Sequence, residues 1–204
     1  MTYNPQIHHR KSIRLKGYDY SREGLYFITL CVQNRLQLFG KIENGKTELN
    51  IFGKIAEEEW KKSTEIRKNI SLGEFITMPN HFHGIIKINY SLSEKNHSGK
   101  FKSPTQTIGA IIRGFKGATT KRIKILISQI KSSAAQSATG ELQFAPNELE
   151  KIKALIEKID PNKSIWQRNY YERIIRDDTA YRNISNYIRN NPKKWEEDKF
   201  NNLK

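Results

Sequence analysis

The sequence predicts a single α+β domain, in which one antiparallel sheet has helices packed on its face. Two runs have the β-branched and aromatic composition of strands, LYFITLCVQ at 25–33 and GEFITMPNHFHGIIKINY at 73–90. Residues 51–69 place apolar side chains at helical spacing opposite a charged face, and 105–131 predict a second helix, loosened at its glycines. Strands and helices in this order, within 204 residues, favour one core.

The first half of the chain shows local signals for each element. Residues 1–24 are polar and basic, and they predict an arm on the body of the domain. Asn44-Gly45 is a good two-residue turn between short apolar runs, so a hairpin is expected there. Because proline cannot donate to a strand ladder, Met78-Pro79-Asn80 divides the run at 73–90 into two strand segments.

The second half is less regular. Residues 132–164 begin as low-complexity sequence and end in a short amphipathic helix, which predicts an insertion. IWQRNYYERIIRD at 165–177 mixes aromatic and β-branched residues like a strand. A last helix follows and should end at Pro192.

The composition favours a nucleic-acid partner. Lys and Arg number 36 against 21 Asp and Glu, and the net charge of +15 makes nucleic acid a better candidate partner than an acidic membrane. No N-terminal run resembles a signal peptide, and none reaches the roughly 18 apolar residues of a membrane helix, so a cytoplasmic location is expected. Cys31 is the sole cysteine, which excludes an internal disulfide and a thiolate zinc site.

Two histidines stand one residue apart in the second strand run. Side chains of a strand alternate, so His81 and His83 should point to one face and Phe82 to the other. Two neutral imidazoles can share a metal and leave positions open for water or substrate oxygen. A purely structural pair is the alternative.

A tyrosine and an asparagine stand one helical turn apart near the C-terminus. Tyr187 and Asn191 should lie on one helix face, where the phenol can act as a nucleophile and the amide oxygen as a neutral metal ligand. Alternatively, the tyrosine packs into the core and the asparagine caps the helix.

Several segments together resemble the single-tyrosine HUH transposases, especially the REP-associated tyrosine transposases. The resemblance covers most of the chain except 132–164, and its segments are SIRLKGYDYSREGLYFITLCVQNRLQLFG, MPNHFHGII, FKGATTKRI, WQRNYYERIIRDD and YIRNNPKKW. The two histidines around Phe82 match the HUH motif of the family, and Tyr187 matches the position of its nucleophile. The resemblance implies a ferredoxin-like HUH endonuclease or transposase fold.

The resemblance also implies an activity and its site. His81, His83 and Asn191 would hold Mg²⁺ or Mn²⁺, and Tyr187 would attack a phosphodiester of single-stranded DNA near a hairpin-forming palindromic repeat. The products would be a 5′-phosphotyrosine and a free 3′-hydroxyl, which allows rejoining without nucleotide hydrolysis. The sequence names no base to deprotonate the phenol, and the oligomeric state, monomer or homodimer, stays open.

Basic residues in three places are candidates for DNA contacts. They are Arg113, Lys116, Lys121 and Arg122 on the second helix, Arg10, Lys11 and Arg14 on the arm, and Arg168 in the last strand run. Trp166, Tyr170 and Tyr171 are candidates for base stacking, with a place in the core as the stronger alternative.

Three other functions compete with the transposase interpretation. A catalytically inactive, domesticated hairpin-binding protein would keep the sheet and the basic surface, although here all four candidate site residues are present. A two-histidine phosphoesterase would need a second strand with paired histidines, which the sequence lacks. An RNA-binding ferredoxin-like sheet would need an aromatic-glycine signature, and none stands on the strands.

Overall fold

The computed structural model describes residues 17–91, 106–135 and 146–201. In chain order, its elements are β1 (Gly24–Cys31), β2 (Gly40–Glu43), β3 (Lys46–Leu49), α1 (Ile51–Ile66), β4 (Ile70–Thr77), β5 (His81–Ile88), α2 (Ile108–Ala135), α3 (Pro146–Glu157), β6 (Tyr171–Ile175) and α4 (Asp178–Asn190), with short 3-10 helices at Gln33–Arg35 and Pro192–Glu197. Among the helices of these described residues, none combines the length and apolar character that crossing a membrane requires.

Four strands form the main sheet in the order β4-β5-β1-β6, and every neighbouring pair is antiparallel. With α1 between β1 and β4, and α2 between β5 and β6, this is the ferredoxin-like arrangement. The predicted fold class is therefore confirmed. Strands β2 and β3 form a separate hairpin, in which Asn44 and Gly45 take the positive φ angles of 50° and 69° that a tight two-residue turn requires.

The two faces of the sheet pack against different helices. On one face, Tyr26 and Phe82 belong to the large core that they form with α1 and α2. On the other face, Phe27 and Ile85 form a small cluster with the α4 residue Ile184. Helices therefore cover both faces of the sheet, and the second face is where α4 meets β5.

Gly84 allows the main sheet to approach α1 closely. A Cβ atom at this position would lie 2.5 Å from a ring carbon of Trp60, which is fully buried. Trp60 packs in turn against Phe82 and Phe115, with ring centroids 4.7 and 5.2 Å apart. The rings of Trp60 and Phe115 therefore pack on the face of β5 that is opposite to His81 and His83.

Two predicted elements differ from the structure. Helix α2 is continuous through its glycines, because Ile111, Phe115 and Ile123 bury one face of it along its length. The predicted strand at 165–177 is shortened to β6, since Trp166 is buried against Phe39 and joins the strands only through one bridge to Val32.

The segment 132–164, predicted to be an insertion, contributes to the core. Its helix α3 places Ile152 and Ile156 in the same large cluster as the sheet, with 1% and 5% of their surface exposed. Residues 136–145 of this segment and residues 1–16 of the predicted arm lie outside the described residues.

Candidate active site

His81 and His83 lie side by side on the α4 face of β5, as strand alternation predicted. Their ring centroids are 4.6 Å apart, and both side chains are buried. The turn before them is fixed by backbone hydrogen bonds, since Val32 N donates to Asn80 O and Phe39 N donates to Pro79 O, each at 2.9 Å. The backbone immediately before the two histidines is therefore held in place by hydrogen bonds to neighbouring segments.

Asn80 fixes the orientation and the tautomer of His81. The Asn80 amide nitrogen donates to the carbonyl oxygens of Arg35 and Phe200 at 3.2 and 2.6 Å, which leaves its Oδ1 facing His81 Nδ1 at 2.9 Å. Because Oδ1 can only accept, Nδ1 carries the ring proton. His81 Nε2 therefore presents a lone pair, and this buried atom has no hydrogen-bond partner.

His83 connects the sheet to α4. Its Nδ1 lies 2.9 Å from the Thr29 hydroxyl on β1, and its Nε2 lies 3.3 Å from Tyr187 Oη. Both partners are hydroxyl groups that can donate or accept, and if the phenol donates to Nε2, the ring proton sits on Nδ1 and the Thr29 hydroxyl accepts it. That arrangement would match the tautomer of His81, and the Nε2 atom of His83 faces Tyr187.

Helix α4 brings Tyr187 and Asn191 to the histidines. Asp177 caps the helix by accepting from Ala180 N at 2.7 Å, and Ile184 and Ile188 anchor it to the sheet. Tyr187 is 43% exposed, so it does not pack into the core. Asn191 is the C-cap residue of α4 through its backbone N–H, which donates to Ile188 O, but its buried side chain makes no capping bond and its Oδ1 has no hydrogen-bond partner.

Both imidazoles are neutral in this environment. Burial, together with the neighbouring His83, holds the pKa of His81 well below its usual value. Burial lowers the pKa of His83 to about 3. Burial and the charge of Asp198 raise the pKa of the Tyr187 phenol, which is therefore protonated near neutral pH.

The residues present fit a divalent metal. His81 Nε2 and Asn191 Oδ1 are buried lone-pair atoms without partners, and Asn191 lies close enough to His81 to influence its pKa. Within the described part of the chain, no three His, Cys, Asp or Glu side chains are placed to hold a metal by themselves, so any ligand set here needs the Asn191 amide oxygen as well. Two imidazole nitrogens and an amide oxygen leave coordination positions open, so this set resembles a catalytic divalent-metal site more than a closed structural zinc site.

A groove of about 620 Å³ opens beside Tyr187. Its walls are rich in amides and lysines, and the lining residues are Asn183, Asn186, Tyr187, Asn190, Asn191, Lys193, Lys194, Glu197, Asp198 and Lys199. Lysines can neutralise phosphates, and amides can hydrogen-bond base edges. The groove therefore suits an extended polyanion that passes the phenol.

The predicted DNA-binding residues of α2 fall into two groups. Lys116 is turned inward, where its ammonium donates to the carbonyl oxygens of residues 167–169, and Arg122 pairs with Glu58 and Glu59 at 2.7 and 2.8 Å. Arg113, Lys121 and Arg168 are exposed, whereas Arg10, Lys11 and Arg14 lie outside the described residues. Because α2 packs on the other face of the sheet, its exposed cations lie away from the histidines.

The three aromatic candidates for base stacking lie in different environments. Trp166 is buried in the large core, and Tyr170 packs beside that core, with the Lys116 ammonium 5.3 Å from its ring centroid. Tyr171 is 50% exposed and pairs with Thr29, which places it on the histidine face. Of the three, Tyr171 alone is positioned to meet a base near the site.

Three residues at the site were missed by the sequence interpretation. Thr29 could have been found, because strand alternation places it on the same face as Phe27 and hence toward α4. Asn80 was assigned only to a turn, and no local signal indicated that it would orient His81. Asp198 lies in the charged run EEDK, which is typical of a solvated surface, yet its side chain is 6% exposed and lies beside His81.

Comparison with known proteins finds similarity along nearly the whole chain. An uncharacterised protein of Haemophilus influenzae strain Rd is 38% identical over 206 residues, covering 97% of this chain and 96% of that protein. No protein-family model matches the chain.

Two solved structures are also similar. A REP-associated tyrosine transposase bound to a REP hairpin superposes with a TM-score of 0.51 at 17% identity, over 90% of this chain and 74% of that chain. A candidate transposase of Deinococcus radiodurans R1 aligns over 88% of this chain and 97% of that chain at 14% identity, with a TM-score of 0.38. The first of these likenesses shows a common fold.

Proposed function

Because the chain belongs to one family with the Haemophilus influenzae protein and has the fold of a REP-associated tyrosine transposase, we propose that it is a single-tyrosine HUH transposase. Its substrate in this proposal is single-stranded DNA that carries hairpin-forming repeats. The reaction is cleavage and rejoining of one strand through a 5′-phosphotyrosine intermediate.

One observation supports this proposal above the others. Tyr187 Oη lies 3.3 Å from His83 Nε2, and Asn191 acts on the pKa of both Tyr187 and His81. A phenol, two neutral imidazoles and an amide oxygen thus meet at the edge of a groove. A merely structural histidine pair would not require an exposed tyrosine or a buried amide oxygen without a partner.

In the proposed cleavage step, Tyr187 Oη attacks the phosphorus of the scissile phosphodiester. A bond forms between the phenol oxygen and phosphorus as the phenol releases its proton, the bond from phosphorus to the 3′-oxygen breaks, and the 3′-oxygen takes up a proton and leaves as a 3′-hydroxyl, so no proton is gained or lost overall. Attack by another 3′-hydroxyl on the phosphotyrosine reverses the step and restores the phenol. No nucleotide hydrolysis is needed, because the phosphotyrosine is itself a phosphodiester and one ester bond replaces another in each step.

His81, His83 and Asn191 would hold Mg²⁺ or Mn²⁺, which would polarise the scissile phosphate and stabilise the charge that develops on it. Asn80 and Thr29 orient the two imidazoles so that their Nε2 atoms face the site. Tyr187 Oη lies 3.3 Å from His83 Nε2, so this contact must be released whenever that nitrogen serves as a ligand.

The groove beside Tyr187 would bind the strand to be cut. Lys193, Lys194 and Lys199 line it and would contact phosphates on either side of the break. The edge-to-face ring contact between Phe27 and Tyr187, with centroids 6.1 Å apart, would limit the motion of the phenol as the strand passes.

The test is incubation of the full chain and Mg²⁺ with single-stranded oligonucleotides that carry the imperfect palindromes flanking its gene. We expect a covalent adduct on the strand bearing the 5′-phosphate and a free 3′-hydroxyl on the other fragment. Tight hairpin binding without any cleavage would contradict the proposal and would favour an inactive, hairpin-binding protein.

A further inference from the structure

Asp198 is a buried carboxylate that faces the candidate metal site. Its side chain is 6% exposed, and its Oδ1 accepts from Phe200 N at 2.7 Å. Its other oxygen, Oδ2, lies 4.0 Å from His81 Nε2. Asp198 also lines the groove with Tyr187 and Asn191.

The contact between Asp198 and His81 is not a hydrogen bond. The proton of His81 is on Nδ1, where it is donated to Asn80, so Nε2 and the carboxylate oxygen both present lone pairs. A separation of 4.0 Å also exceeds the range of a hydrogen bond. A carboxylate oxygen and an imidazole lone pair that face each other without a donor between them repel, and a cation between them would remove that repulsion.

Asn191 adds a third such atom. Its Oδ1 and His81 Nε2 are both buried without a partner. Metal bonds to nitrogen and oxygen ligands are about 2.1 Å long, so one ion can reach two atoms that are 4.0 Å apart from opposite sides. The spacing of Asp198 Oδ2 and His81 Nε2 is therefore compatible with a shared ion, and Asn191 Oδ1 is needed to complete the set, since no three His, Cys, Asp or Glu side chains of the described residues hold a metal by themselves.

We propose that Asp198 is an anionic ligand of the metal that His81, His83 and Asn191 hold. The inference rests on the proposed function, because it concerns the same metal site. Asp198 would supply the only negative charge in a ligand set that is otherwise neutral. Mg²⁺ is held in proteins chiefly through carboxylates, so Asp198 would give the site its affinity for a hard cation.

The test measures metal binding and not cleavage. Mn²⁺ is titrated into the full chain and followed by calorimetry, with and without hairpin DNA, for the wild type, Asp198→Asn, His81→Ala and Glu196→Gln. The Asn variant keeps an oxygen for Phe200 N, so the local fold is preserved, and thermal melting checks this. Glu196 is an exposed neighbour in the same charged run and serves as the matched control.

We expect Asp198→Asn to weaken Mn²⁺ binding by roughly 10- to 100-fold, with Glu196→Gln unchanged. Wild-type affinity in Asp198→Asn together with lost affinity in His81→Ala would overturn this inference and leave the proposed function standing. Absence of Mn²⁺ binding by the wild type, with and without DNA, would overturn both.

Discussion

Tyr187 Oη lies 3.3 Å from His83 Nε2, although 104 positions separate the two residues in the chain. The contact arises because α4 packs through Ile184 and Ile188 on the same small cluster that contains Ile85 of β5. The apolar side of α4 thus holds the helix on the sheet, while its amide-rich side faces the groove. Tyr187 stands at the border between the two.

Metal dependence should follow from the two histidines. We expect chelator to abolish cleavage of single-stranded DNA and Mg²⁺ or Mn²⁺ to restore it. His81→Ala and His83→Ala should each lower the cleavage rate by roughly a hundredfold or more, since a catalytic metal contributes several kcal/mol. Initial rates measure the effect, and circular dichroism checks folding. Full cleavage by the double alanine variant would refute the metal assignment.

The close approach of β5 to α1 should make Gly84 intolerant of a side chain. A Cβ atom would lie 2.5 Å from the Trp60 ring, so Gly84→Ala should destabilise the fold by about 1–3 kcal/mol. Gly117 on α2 is the matched control, because a Cβ there meets nothing within 4 Å and should improve helix stability slightly. Urea unfolding measures both variants, and equal stabilities would contradict the packing.

The exposed cations of α2 should contribute to DNA affinity, whereas the paired ones should not. If Lys121 contacts a phosphate, Lys121→Ala should reduce the slope of log affinity against log salt by roughly 0.7–0.9. Arg122→Ala should leave that slope unchanged and instead lower stability, because it leaves the buried Glu59 without its close partner. Identical slopes for the wild type and Lys121→Ala would show that this residue faces solvent in the complex.

Helix α3 offers a test of whether 132–164 is a separable insertion. Ile152 is 1% exposed within the large core, so Ile152→Ala should destabilise the protein by about 2–5 kcal/mol. Lys151→Ala, at the exposed neighbour, should stay within about 0.5 kcal/mol of the wild type. Deletion of 133–159 should likewise cost stability, and normal folding of the deleted chain would show that α3 is dispensable.

Periodicity and turn chemistry were sufficient for much of the fold and for the shared face of each pair of candidate site residues, whereas their catalytic roles came from the family resemblance and stay predictions. The alternation around Phe82 predicted that His81 and His83 share a face, and the four-residue spacing predicted that Tyr187 and Asn191 do. Contacts between distant segments could not be predicted this way. Nothing local indicates that Lys116 turns inward to the carbonyl oxygens of 167–169, because that geometry depends on how the chain returns after α3.

The most direct test of the proposed transposase activity is the effect of Tyr187→Phe on the covalent protein–DNA adduct. Full-length wild type, Tyr187→Phe and Tyr171→Phe are incubated with Mg²⁺ and a hairpin-bearing strand labelled on either side of the break, and the products are resolved on a denaturing gel. Tyr171 is the matched control, because it is exposed and lies on the same face of the sheet.

We expect Tyr187→Phe to form no adduct and to keep nearly wild-type hairpin affinity, because the phenol oxygen is needed for attack while the ring keeps its packing on Phe27. Tyr171→Phe should form the adduct normally. Persistence of the adduct in Tyr187→Phe, or its loss in a folded and DNA-binding Tyr171→Phe, would contradict the assignment of Tyr187 as the nucleophile.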